Sequence, residues 1–91
     1  MDKYEWDTEK REVNLVKHGL DFNDVWRVFK DPKAVTFEDI KHSSVECRLL
    51  TIGYLDDILC TVVVHTKRGN RIRIISFRPA NKKERIQYDN G

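Results

Sequence analysis

The sequence predicts an α+β domain with two helices first, then a mostly antiparallel sheet, then a short closing helix. Three observations carry this. Apolar side chains in residues 22–29 recur at helical spacing, the pattern from residue 34 onward changes to the period of strands, and Asn81-Lys82-Lys83-Glu84 has the form of a helix capping box. The implied order is β-α-α-β-β-β-β-α over residues 1–91, read as one domain, with the N-terminal helices on one face of the sheet.

Tyr4 to Trp6 suits a short first strand. Asp7 or Thr8 then caps a helix with Glu9 in its first turn, running to Lys17–His18 and stopping at Gly19. Its apolar face is thin: Val13, Val16 and, just beyond, Leu20. Asp21 caps a second helix with Asp24 in its first turn and Phe22, Val25, Trp26 and Phe29 as its buried stripe. Asp31-Pro32 ends it, because the residue before proline avoids the helical region. Ala34–Glu38 is a short strand and Asp39–Ser44 a polar loop. Glu46–Leu55, Ile58–Thr66 and Asn70–Arg78 read as three strands joined by tight turns. Pro79 cannot extend the strand pairing, so the capped helix begins after it and runs through Tyr88.

Charge is unevenly placed. Residues 67–91 hold eight basic and two acidic side chains, whereas residues 1–66 hold nine basic and thirteen acidic ones. A one-sided basic surface points to phosphate, hence to nucleic acid. Arg71 and Arg73 sit in a strand, where guanidinium groups are costly unless something anionic docks on them; in the tail, the same charges can equally well solvate a surface. No apolar run reaches the length of a membrane span, and Met-Asp-Lys-Tyr-Glu-Trp lacks a signal peptide's apolar stretch, so a cytoplasmic protein with free Cys47 and Cys60 is expected.

Turn chemistry predicts where the arginines point. A three-residue hairpin loop with Gly69 left-handed puts His65 opposite Arg71 and Val63 opposite Arg73. A two-residue loop at Asp56-Asp57 puts Leu55 opposite Ile58 and, counting back, Arg48 opposite His65. Arg48, His65 and Arg71 then form a row, with Arg73 next on the same face and Arg78 on the opposite one. Ile58, Cys60, Val62, Val64, Ile72 and Ile74 collect on the helix-facing side. Leu50, Ile52, Leu59, Ile75 and Phe77 leave part of the arginine face apolar, for the terminal helix or a partner chain to cover. A slip of one residue in either loop reverses these faces.

Metal-free RNA cleavage needs a base for the ribose 2′-hydroxyl, positive charge around the phosphorane and an acid for the leaving oxygen. Arginines supply the second function, since their planar forks match phosphate. His65, between guanidinium groups, would be held neutral and fit for the base, and Lys17 and His18 are the other candidates. Each has a plain structural alternative. Cations in the last turn of a helix complement its dipole by about 0.3–1 kcal/mol, and His65 can simply stack on its neighbours. His42 is expected on the surface and Trp6 and Trp26 in the core. Asp56-Asp57 and Asp21…Asp24 read as turn and cap residues rather than metal ligands. There is no Gly-rich phosphate loop, no H-E-x-x-H and no G-x-S-x-G, so no metal or cofactor is expected.

The chain resembles the BrnT toxins over nearly its whole length. The resemblance rests on Trp6-Asp7, Lys10, Asn14, Lys17-His18-Gly19, Phe22, Val28-Phe29 and Asp31-Pro32. It continues through Arg48, Thr51-Ile52-Gly53, Thr66, Arg68-Gly69, Arg71-Ile72-Arg73-Ile74-Ile75-Ser76, Arg78, Ala80, Glu84-Arg85 and Tyr88. It implies a RelE-like fold and a metal-independent ribonuclease that arrests translation as the toxin of a type II toxin–antitoxin pair. It also implies a BrnA antitoxin with a ribbon-helix-helix domain, a complex of two toxins and two antitoxins, and repression of the operon through operator DNA bound by the antitoxin. The matching site positions are Lys17, His18, Arg48, Arg71, Arg73 and Arg78. Phe77 and Pro79 on either side of Arg78 depart from the family pattern, as does Asp56-Asp57 where glycine is more comfortable; the first two bear on substrate access and on Arg78. Two other readings stand beside this one: a non-catalytic module using the basic face to hold nucleic acid or an acidic protein, and a basic tail that docks the antitoxin.

Overall fold

The computed structural model describes residues 3–42 and 46–91. Its elements are β1 (Tyr4–Glu5), α1 (Thr8–His18), a 3₁₀ turn (Phe22–Asp24) leading into α2 (Val25–Phe29), β2 (Val35–Glu38), a second 3₁₀ turn (Ile40–His42), β3 (Arg48–Leu55), β4 (Leu59–Arg68), β5 (Arg71–Pro79) and α3 (Lys82–Asn90). The five strands form one sheet in the order β1-β5-β4-β3-β2. All pairs are antiparallel except β1 with β5. The expected α+β class, with three helices and a mostly antiparallel sheet, is what the chain adopts. Of the polar loop expected over Asp39–Ser44, Ser43 and Ser44 lie outside the described residues.

Local capping explains the helix boundaries. Asp7 accepts hydrogen bonds from the N–H groups of Glu9 and Lys10, and Gly19 ends α1 in the left-handed conformation at φ 70°. Asn81 and Glu84 form the reciprocal capping box of α3. Asp21 caps the next segment through Asn23 N–H, but that segment starts as a 3₁₀ turn rather than as one continuous helix. The stripe it buries is therefore Phe22, Val25 and Val28; Trp26, expected in the core, is 46% exposed, with Lys30 Nζ 5.1 Å from its ring centroid.

The inward side of α1 also differs from expectation. Val13 and Val16 face outward, whereas Arg11, Asn14 and His18 form the buried or half-buried row, at i, i+3 and i+7. A polar row is tolerable there because its members are satisfied: Arg11 makes two 2.8 Å hydrogen bonds to Asp21, and Asn14 bonds backbone groups of Leu20 and Phe77.

The sheet separates two apolar clusters. On the side of α1 and α2 lie Leu20, Phe22, Val25, Val28, Val63, Ile74 and Phe77, with Tyr4 and Trp6 packed against them. On the side of α3 lie Ile52, Cys60, Val62 and Ala80, flanked by Leu50, Val64 and Tyr88. The terminal helix thus covers the apolar part of its face. Gly53 lets α2 approach β3, since a methyl there would lie 2.9 Å from Val28 Cγ1.

Both hairpin registers differ from expectation by loop length. Leu55 pairs with Leu59 across a three-residue connection in which Asp56 and Asp57 take φ of 55° and 61°. Ile58 is left 83% exposed at its tip instead of joining the helix-facing set. Arg68 pairs with Arg71 across the two-residue loop Gly69-Asn70. Arg48 and Arg73 consequently both face Thr66, while His65 faces Leu49 and Ile74. Cys60, Val62 and Val64 share the α3 side with the arginines, rather than the side of Ile72 and Ile74. Pro79 also extends the pairing after all, opposite Thr61, and Ala80 N–H then donates to Cys60 carbonyl at 2.9 Å.

A β-bulge makes the last correction. Val64 pairs with Ser76 and His65 with Ile74, so Ile75 is an extra residue on β5. The bulge keeps Ile74 and Phe77 in one core cluster although they are three residues apart. It also turns Arg78, expected on the opposite parity, onto the same face as Arg73.

Candidate functional site

The seven candidate residues do not converge on one point. Lys17, His18 and Arg78 come together where the end of α1 meets the end of β5. Arg48 and Arg73 flank Thr66 in the middle of the α3 side, and Arg71 stands at the β4–β5 hairpin. His65 lies on the other face, inside the molecule.

The first group is organised by Asn14. Its side chain bonds the backbone of Phe77, which fastens the last turn of α1 against β5. Between them is a cleft of about 340 Å³ lined by Lys10, Lys17, His18, Ile75 and Ser76, with Val13 and Glu9 at its side. Partial burial, Lys17 and Arg78 each push the His18 pKa below the usual imidazole value. These effects favour the neutral imidazole, whose lone pair can accept a proton, and His18 stands amid two cations.

Arg78 is fixed from behind. Both Nη atoms donate to Glu84, each at 2.8 Å, and Nη1 also reaches Pro79 carbonyl at 3.3 Å. Glu84 is the capping-box residue of α3, accepting from Asn81 N–H at 2.9 Å. Its hydrogen bonds with Arg78 hold its carboxyl below the usual carboxylate range against the opposing effect of burial. The start of α3 thus sets where the guanidinium lies.

Arg73 donates to Glu5 at 3.0 Å across the β1–β5 pair. Arg48 is half-buried. Thr66, between them, donates its hydroxyl to Cys47 carbonyl at 2.8 Å. Arg71 is exposed and lines a separate pocket with Lys3 and Lys67.

His65 does not stand in an arginine row. Only 6% of it is exposed. Its Nε2 lies 2.7 Å from Thr51 Oγ1, and its ring meets Phe29 edge-on at 5.1 Å. Burial pushes its pKa down to about 4. The one-residue differences at the two hairpins account for the change of face. His42 is exposed, as expected, with Nδ1 2.9 Å from Asp39.

Lys10 and Ser76, which line the cleft, and Glu84, which holds Arg78 from behind, lay outside the candidate set. Lys10 and Ser76 stood in the sequence only as family-like positions, and Glu84 only as a cap. The signal that could have found the cleft is the polar spacing Arg11, Asn14, His18 on α1. Among the described residues no three His, Cys, Asp or Glu side chains cluster to hold a metal, and no helix is long and apolar enough to cross a membrane.

Comparison with known proteins gives a consistent result. Residues 6–84 match the family model described as ribonuclease toxin, BrnT, of type II toxin–antitoxin system. The crystal structure of the Brucella abortus ribonuclease toxin BrnT is similar at TM-score 0.70 and 29% identity, covering 90% of this chain and 100% of that one. No curated protein matches.

Proposed function

This chain belongs to the BrnT family of type II toxin–antitoxin ribonuclease toxins, and from that membership we propose that it cleaves RNA, without a metal, in the cleft between α1 and β5. The observation that carries the choice of site is the joint of Asn14 to the Phe77 backbone, which sets Lys17 and His18 in the cleft against β5, with the charge of Arg78 felt at His18.

In this reading His18 takes the proton of a ribose 2′-hydroxyl, and the 2′-oxygen attacks the adjacent phosphorus. Arg78, held in place by Glu84, and Lys17 stabilise the negative charge that builds on the phosphorane. The bond to the 5′-oxygen breaks, and that oxygen takes a proton from the Lys17 ammonium. The products are a 2′,3′-cyclic phosphate and a 5′-hydroxyl. Arg73 and Arg48, on the same face as Arg78 and in one row through Thr66, hold the backbone of the strand to one side of the cleft.

Membership in a type II toxin–antitoxin family implies an antitoxin partner. We take it to be of BrnA type, with two copies of each chain in the complex and operator DNA bound through the antitoxin. We take the fold to be RelE-like and the biological outcome to be arrest of translation in the cytoplasm.

The test is incubation of the protein with end-labelled single-stranded RNA in excess chelator, beside His18→Ala and Arg78→Ala. Cleavage by the wild type with cyclic phosphate ends, and its loss in both variants, is the expected result. Salt-sensitive binding with no product from any of the three would favour a non-catalytic nucleic-acid module instead.

A further inference from the structure

A second pocket opens at the far end of β5, against the β4–β5 hairpin. Its volume is about 310 Å³, within the range of small-molecule sites. The surface it presents is almost wholly apolar, with Leu49 and Ile72 as walls and His65 contributing, and three of the residues around it, Lys3, Lys67 and Arg71, are basic. None of its lining residues is a carboxylate, whereas the α1–β5 cleft shares Glu9. Glu38 stands opposite Leu49 on β2, outside the lining. Lys3 is tied to the pocket by its carbonyl, which accepts Ile72 N–H at 2.9 Å.

We propose that this pocket binds one nucleotide of a single-stranded RNA, its phosphate on Lys67, Arg71 and Lys3 and its sugar and base against Leu49 and Ile72. The combination suits that ligand: cations neutralise a phosphate without reading sequence, and an apolar wall accepts the body of any base. The β4 partners of Arg71 and Arg78, Arg68 and Val62, are six residues apart, so the two arginines lie roughly 20 Å apart at about 3.3 Å per strand residue. The pocket shares no lining residue with the cleft and would hold a flanking part of the same strand. The choice of RNA rests on the ribonuclease reading; the existence of a phosphate-binding pocket does not.

The probe is a short single-stranded RNA with methylated 2′-oxygens, which cannot be cleaved through them. Its affinity for the wild type and for Lys67→Ala/Arg71→Ala is measured by fluorescence anisotropy across a range of salt. Both substituted residues are exposed hairpin positions, so the variant keeps its core. Losing two phosphate contacts should weaken binding and flatten the plot of log affinity against log salt by about 1.4, from about 0.7 per contact in single strands. In wild-type protein, the ring-proton resonances of His65 should move as the probe is added, and in the variant they should stay. An unchanged salt slope, or His65 resonances that ignore the probe, overturns the proposal. A parallel assay on unmodified RNA separates the two ideas. Cleavage with an unchanged slope refutes the pocket alone; a flattened slope without cleavage supports the pocket and counts against the ribonuclease.

Discussion

Asn14 holds the backbone of Phe77 from both sides: Oδ1 accepts its N–H at 3.0 Å and Nδ2 donates to its carbonyl at 2.8 Å. β1 pairs with β5 only at Ile72 and Arg73. Further along that edge the amide of Asn14 does what another strand would do. The same Nδ2 also donates to Leu20 carbonyl at 3.0 Å, so one side chain joins α1, the chain after it and the sheet. Lys17 and His18 are carried to β5 by this joint.

Asn14→Ala should therefore cost about 2–4 kcal/mol, because it leaves more than one buried backbone group without a partner. Asn14→Asp keeps the acceptor but turns a second oxygen on two carbonyls, and should be weakened most at neutral pH and partly recover as the carboxyl protonates. Urea unfolding at two pH values checks both. A loss under about 0.5 kcal/mol for the alanine variant would mean that water replaces the amide.

Glu84→Gln preserves a capping-box acceptor but removes the charge opposite Arg78. His18 should then feel Arg78 more strongly, and its pKa, already below the usual value, should fall further. NMR titration of the His18 ring reads this directly. Arg78→Ala should move His18 the other way and lower kcat/KM roughly 100-fold or more. A His18 titration indifferent to both changes would show that Arg78 does not act on it.

His65 gives stability a pH dependence of known sign. Its folded pKa of about 4 lies below the unfolded value of 6.5. The unfolded chain thus takes up the proton first as pH falls, so this contribution is full above 6.5 and is lost between there and 4. The loss is on the order of 3 kcal/mol. His65→Gln, neutral throughout, should show a correspondingly flatter stability profile over that window. Parallel profiles for the two proteins would contradict the assignment.

Tyr88 donates its hydroxyl to Asp31 at 2.7 Å, and Asp31 also accepts from the N–H groups of Tyr54 and Lys33. Burial opposes ionisation of Asp31, but these donors outweigh it and keep its carboxyl below the usual range. No residue of α3 itself is fully buried, so this bond and the Arg78–Glu84 pair add to the packing of Tyr88 on Tyr54 and the Ile52–Val62 cluster in holding the helix to the sheet. Tyr88→Phe should cost about 1–2 kcal/mol and speed amide exchange along α3. Exchange rates equal to wild type would show that the Tyr88 hydroxyl does not hold the helix.

The features legible in the sequence are those set by neighbours in the chain. Asp7, Gly19 and the Asn81–Glu84 box mark helix ends because a cap satisfies backbone groups within a turn of itself. The change of period at residue 34 marks the sheet for the same local reason, and the charge of residues 67–91 needs no structure at all. The arrangement of the site was not legible at that level. One residue in each hairpin loop and one bulge at Ile75 decide which face every later side chain takes, because strand side chains alternate with a period of two. Those choices moved His65 into the core beside Thr51 and Phe29 and brought Arg78 onto the face of Arg73. Asn14 was the reverse case, a polar residue on a helix whose partner stands 63 positions away. Only the folded chain brings that partner into reach, and with it His18 to Arg78.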